Sequence, residues 1–197
     1  MSEIIRLSDP NDLYISSTDL RKGISGLADY YRQLYSDSEE VVVLSVRKGA
    51  APFVWDLIRM MPELNIYYDE IEAGTMNGTV GGDVEIKHGP SRSIAGKDVL
   101  IGDDVFDRNL TMQTIVRYCE GFNPASLRAT AMLGKVGVPG SVDIGVEAKS
   151  AIQIANVFVV GGGLDWNGKY RHLPHVSACA VPEVGDPYPL VPIEPTA

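Results

Sequence analysis

The chain runs to 197 residues, 45% hydrophobic and 22% charged, with a formal net charge of −9 at pH 7. That length supports one domain with a substantial core, and the acidic balance argues against nucleic acid or an anionic membrane as the main partner. No apolar run reaches the roughly 18–20 residues that cross a bilayer and the opening MSEIIRLSDP lacks a secretory leader pattern, so a cytoplasmic protein is expected, with Cys119 and Cys179 as reduced core residues.

The stretch STDLRKGISGLADYYRQLY spaces Leu20, Ile24, Leu27, Tyr31 and Leu34 on one face of a helix, with Ser17 or Thr18 as its cap. VVVLSV (41–46) is a short β-branched run and reads as a buried strand. After RKGA the chain turns into APFVWDLIRMM, a second amphipathic helix, and LNIYYDEI (64–71) reads as another strand. The glycine-rich segment EAGTMNGTVGGDVEIKHGPSRS predicts a loop or loose hairpin of the kind that closes over ligands, with 72–88 the candidate lid. DVLIGDD (98–104) is a third buried strand. TMQTIVRYCEGF follows as a helix that turns Met112, Ile115, Val116 and Cys119 inward and stops at Gly121.

SLRATAML (126–133), NVFVVGG (156–162) and VSACAVP (176–182) supply further strands, and a proline-rich tail at 184–197 lies outside a domain of 1–183. Strands alternating with helices predict an α/β fold, a doubly wound and mostly parallel sheet with a small lid region. Ligands of such sheets sit beyond the carboxyl ends of the strands, where both RKGA and the aspartates of VLIGDDVFDRNLTMQ fall.

That aspartate stretch crowds Asp103, Asp104 and Asp107 between a strand and a helix. Like charges that close repel and resist ionising when buried, so they call for a cation or for hydroxyl donors. The helix start beside them offers free amides to a phosphate. Vicinal hydroxyls beside a phosphate describe a ribose 5-phosphate; a receiver-like acidic pocket or a solvated loop is the plainer alternative on spacing alone.

VLIGDDVFDRNLTMQT resembles the phosphoribosyl-pyrophosphate motif of the type I phosphoribosyltransferases, and among them looks most like the hypoxanthine-guanine group. SVRKGAAPFVWDL resembles that family's pyrophosphate loop, ATAMLGKVGVPGSV its strand with a purine-contacting lysine, and VFVVGGGLDWNGKYRHLPHV its purine-binding end. The resemblance covers residues 13–183. It implies transfer of a phosphoribosyl group to hypoxanthine or guanine in purine salvage, with Mg²⁺ as cofactor and a homodimer or homotetramer as the assembly. Asp107 would be the general base on the purine ring nitrogen. Asp103 and Asp104 would hold the ribose hydroxyls, directly or through Mg²⁺, and Arg108, Asn109, Leu110 and Thr111 would wrap the 5′-phosphate.

Lys48 and Gly49 would meet pyrophosphate through their shared peptide bond, expected to be cis, and Arg171 would neutralise that leaving group. Lys135 would donate to the purine 6-oxygen, Phe158 would stack on the base and Val159 would offer its backbone to the ring edge. Asp165, at the same end, would bind a Mg²⁺ carried by pyrophosphate.

The chain departs from the family at Arg108-Asn109, where Thr-Gly is usual, at Ala50, where a glycine is usual, and at Gly74-Thr75, where the lid has Ser-Tyr. Asparagine tolerates left-handed geometry, so the turn survives. These changes leave open a transferase acting on xanthine or another nitrogen base, and a non-catalytic binder of phosphoribosyl pyrophosphate or a nucleotide. GGGLDWNG opens no amphipathic helix and so is no dinucleotide fingerprint. A proline separates His172 from His175, which suits surface or supporting histidines better than metal ligands, and Trp166 is a base-edge contact or plain core.

Overall fold

The computed structural model describes residues 13–75 and 84–179. A two-residue strand, β1 (Tyr14–Ile15), leads into helix α1 (Ser17–Leu34). Ser16, in extended conformation, caps that helix by accepting from the Asp19 amide at 3.1 Å, so the cap falls one residue before the two expected. Leu20, Ile24, Leu27 and Tyr31 are buried as their spacing predicts. Leu34 is 36% exposed instead, and Tyr35, just past the helix end, takes its place in the core at 2%.

All six residues of β2 (Val41–Val46) are buried, the mark of a central strand covered on both faces. Helix α2 (Ala51–Arg59) starts with Pro52 in its first turn, where a missing N–H costs nothing, and buries Phe53, Val54 and Leu57. Strand β3 (Ile66–Thr75) runs past the expected end at 71 and folds back antiparallel on β4 (Val84–His88). The hairpin reading of the candidate lid therefore holds at both of its ends, while residues 76–83 lie outside the described residues. Strand β5 (Asp98–Phe106) and helix α3 (Leu110–Glu120) follow; α3 buries Met112, Ile115, Val116 and Cys119 and ends at Gly121, as the 3.6-residue period dictates.

Strand β6 (Ser126–Val136) is joined to β7 (Ala148–Ala155) by residues 137–147, which form no helix. Sequence reading missed β7, a strand at the sheet edge whose only buried residues are Ile152 and Ile154. The main sheet runs β4-β3-β2-β5-β6-β7, with every neighbouring pair parallel except β3 and β4. A small antiparallel sheet stands beside it, made of β1, β8 (Val159–Val160) and β9 (Val176–Ala178) in the order β1-β9-β8.

The strand expected at 156–162 shrinks to β8 because Gly161, Gly162 and Gly163 take φ of 94°, 62° and 110°, outside any strand. Of the strand expected at 176–182, residues 176–178 form β9, while 180–182 and the tail at 184–197 lie outside the described residues. Helices α1 and α2 pack on each other, with α1 also on β7 and α2 on β5, and α3 lies against β3, β4 and β6. Among the described residues no helix is long and apolar enough to cross a membrane. The chain goes from β2 through α2 to β3 on one side and places β5 on the other, so the switch point lies between the carboxyl ends of β2 and β5.

Candidate active site

At that switch point the segment after β2 and the end of β5 open into a cleft of about 510 Å³. Lys48 and Gly49 line it from the segment after β2, Asp103 and Asp104 from β5, and Asp107 through Thr111 from the turn into α3 and its first residues. Asp165 and Arg171 reach it from the segment after β8. The structure thus brings together, around one cavity, residues separated by more than half the chain. It also supplies Arg47 and Val105 to the lining, which sequence reading did not single out.

Each wall has a local cause. Asn109 sits at φ 64°, the left-handed conformation its side chain tolerates, and this turns the chain from β5 into α3. As in any helix, the first amides of α3 have no intrahelical partners, and the Asn109 side chain does not cap them. Gly49 is required by crowding: a Cβ there would overlap the Asp104 carboxylate and come within 3.1 Å of Arg171 Nη1. Gly163 presses as closely on the other side, where a Cβ would overlap the Gly49 carbonyl oxygen. The cis peptide bond of this loop joins Arg47 to Lys48, one bond before the expected Lys48-Gly49.

Arg171 holds the far wall. Its Nη1 donates to the Gly163 carbonyl at 2.7 Å and its Nη2 pairs with Asp165 Oδ1 at 2.5 Å. Asp165 Oδ2 accepts from the Gly168 amide at 2.6 Å. Asp103 and Asp104 face a different balance. Burial raises the carboxyl pKa of Asp103 well above its ordinary value, and the neighbouring Asp104 charge raises it further. Burial raises Asp104 too, against the amide of Val105 and the charge of Arg171, which pull it down. Two carboxylates held against ionisation are poised to gain from any cation or hydroxyl donor that arrives.

Beyond the cleft proper, Lys135 Nζ donates to Asp107 Oδ2 at 2.7 Å, with the lysine side chain only 9% exposed. Phe158 meets Trp166 edge to face, ring centroids 5.6 Å apart, and Val159 is buried in the pairing of β8 with β9. Trp166 is therefore at least a support for the Phe158 ring. His175 is buried and His172 exposed, so the two share no site. Among the described residues no group of three or more His, Cys, Asp or Glu gathers around one point as a metal cage.

A phosphoribosyl transferase domain model matches residues 17–165, and the chain belongs to that family. The relatives place it with the hypoxanthine-guanine phosphoribosyltransferases. One such enzyme, from Mycobacterium bovis, is 36% identical over 149 residues, covering 74% of this chain and 72% of its own. Another, from Dictyostelium discoideum, is 28% identical over 170 residues, covering 84% and 93%. Among solved structures, a hypoxanthine-guanine phosphoribosyltransferase from Bacillus anthracis matches with a TM-score of 0.74 and 29% identity, over 85% of this chain and 96% of that one. The hypoxanthine phosphoribosyltransferase of Trypanosoma cruzi, in complex with the product IMP, matches with a TM-score of 0.75 and 26% identity over 88% and 97%.

Proposed function

We propose that this protein transfers the 5-phosphoribosyl group of phosphoribosyl pyrophosphate to a 6-oxopurine, hypoxanthine or guanine, in purine salvage. The observation that carries the reading is the pairing of Asp107 with Lys135 at 2.7 Å, next to a cleft that offers amides at one end and carboxylates beside them. A 6-oxopurine has a carbonyl oxygen next to a ring nitrogen that bears or loses a proton. It can replace that direct contact, its oxygen accepting a hydrogen bond from the lysine and its nitrogen meeting the carboxylate.

The roles are those the family resemblance implies. The amides of Arg108, Asn109, Leu110 and Thr111 hold the 5′-phosphate, and Asp103 and Asp104 accept from the 2′ and 3′ hydroxyls. The Lys48-Gly49 backbone and Arg171 hold pyrophosphate, whose charge grows as its bond to C1 of the ribose breaks. Asp107 takes the proton of the attacking ring nitrogen while Lys135 fixes the 6-oxygen. Phe158 stacks on the base and Val159 presents its backbone to the ring edge. The lid at 72–88 keeps water from the electrophilic sugar.

Mg²⁺ fits this donor set. Hard oxygen donors line the cleft at Asp103, Asp104 and Asp165, which suits a cation shared with substrate phosphates. Asp103, Asp104 and Asp165 are the residues that would hold it, and when bound it supplies charge neutralisation to the leaving pyrophosphate. The working protein is a cytoplasmic homodimer or homotetramer whose catalytic domain is 1–183.

The test mixes purified protein with phosphoribosyl pyrophosphate, Mg²⁺ and a panel of bases, and measures nucleotide and pyrophosphate. Nucleotide from hypoxanthine or guanine, absent when Mg²⁺ is withheld, is expected. Product from xanthine or another base alone changes the assigned substrate, and binding without product makes the protein a regulator.

A further inference from the structure

The helix-free connection between β6 and β7 lies against the turn that opens α3, and a set of hydrogen bonds joins them. The Val142 amide donates to the Arg108 carbonyl at 3.1 Å. Asn109 Nδ2 donates to Ser141 Oγ at 3.1 Å and to the Val142 carbonyl at 3.2 Å. Ser141 Oγ in turn donates to the Asp107 carbonyl at 3.2 Å, and Gln113 Nε2 donates to the Asp143 carbonyl at 2.7 Å. The Ser141 hydroxyl is the hub: it accepts from one residue of the turn and donates to another, which only a group with both capacities can do. Ile144, 6% exposed, fastens the connection to the core one residue further on.

Asn109 is the residue that makes this possible. Its left-handed backbone would be equally well served by glycine, but glycine brings no side chain. Asparagine supplies the conformation and two bonds to the neighbouring segment.

We propose that Ser141 and the side chain of Asn109 are positioning residues. They hold the phosphate-binding turn in its working shape before ligand arrives, and so set the affinity for the 5′-phosphate group. The proposal rests on the transferase reading above for the identity of that ligand. The physical reason is preorganisation: a turn whose amides must converge on one anion loses backbone freedom when it binds, and bonds made beforehand remove that loss.

Binding of ribose 5-phosphate to the full chain, measured by titration calorimetry, reads the turn without requiring turnover. Ser141→Ala is expected to weaken binding about threefold to tenfold, the range for one or two neutral hydrogen bonds. Asn109→Gly, which keeps the left-handed turn, should lose a similar factor, and Ser141→Thr should restore wild-type affinity. In the transferase assay KM for phosphoribosyl pyrophosphate should rise by the same factor with KM for the base unchanged. A merely structural residue would lower the thermal midpoint and leave the affinity of the folded protein intact. Unchanged affinity in both Ser141→Ala and Asn109→Gly overturns the brace, as does a loss that Ser141→Thr fails to restore. Weakened binding in a protein that makes no nucleotide from any base supports the brace and overturns the transferase reading. A wild-type protein that ignores ribose 5-phosphate overturns both.

Discussion

Strand β5 has acidic residues at both ends, and the two ends are built on opposite plans. At its start Asp98 accepts from the Ser38 hydroxyl at 2.7 Å and the Ser126 hydroxyl at 2.5 Å. Nearby, Glu40 pairs with Arg92 at 2.7 Å and Lys97 at 3.3 Å. At its other end Asp103 takes the amide of Asp104 at 2.9 Å, and the two carboxylates otherwise press on each other beside the cleft. The chain itself provides donors for the first group and leaves the second to be completed from outside. Along this strand, the structural carboxylate and the cleft pair differ in how far the chain supplies their donors, not in residue type.

The comparison is broken most directly at the cleft. Asp107→Asn should lower turnover by roughly 10²–10⁴, the usual loss with a general acid–base group, with little change in KM for phosphoribosyl pyrophosphate. Steady-state kinetics would show it, and an unaltered turnover would remove Asp107 from the chemistry. Gly49→Ala comes next. The added methyl forces Asp104 aside, and overpacking of this kind costs about 1–3 kcal/mol. KM for phosphoribosyl pyrophosphate should rise roughly tenfold or more while the fold persists by circular dichroism.

At the other end of the strand the expected effect has a different kind. Asp98→Ala leaves two hydroxyls without their acceptor and should cost about 1–3 kcal/mol of unfolding free energy, read by urea titration. The kinetic constants of the folded enzyme should stay those of wild type. A change in KM there would mean that the two ends are not independent.

The smallest effect sharpens the contrast through pH. Glu40 is held below its ordinary value of 4.5, first by its hydrogen bond from Arg92. Its contribution is thus fully present above 4.5 and is lost as pH falls through the lower folded value. Asp103 is held above its ordinary value of 3.8 by burial and by Asp104, so the folded state keeps a proton that the unfolded chain gives up. Ligand-free stability should then fall as pH rises from 3.8 through the raised value. Thermal midpoints at neutral pH should move down for Glu40→Gln and up for Asp103→Asn, and both should meet wild type in acid. A downward shift for Asp103→Asn would make that pair structural after all.

Much of this architecture was legible in the residues because it is local. The apolar spacing of α3 fixed its buried face and its end at Gly121, and the β-branched run 41–46 coincides with β2. Strand β7 escaped notice because an edge strand shows a weak pattern, with Ile152 and Ile154 its only buried residues. At the site, the aspartates and the purine-end motif were visible as words; Asp165 and Arg171 of that motif meet the aspartates in one cleft, while Phe158 and Val159 stand outside its lining. The bonds from residues 141–143 to the phosphate turn were not readable, since they span some thirty positions and rest on ordinary polar residues with no motif of their own. The position of the cis bond differed from expectation by one residue, a matter of backbone geometry that side-chain patterns do not record.

The contact between α1 and β7 has a consequence for how the chain is made. Near its middle the helix lies so close to the strand that a Cβ at Gly23 would stand 2.9 Å from Ile152 Cγ1. Part of α1 thus has no surface to rest on until β7 has been synthesised. Closing so distant a contact is entropically slow, and in the interval that face of the helix stands open to other chains, so the yield of native protein should depend on how quickly translation reaches residue 155.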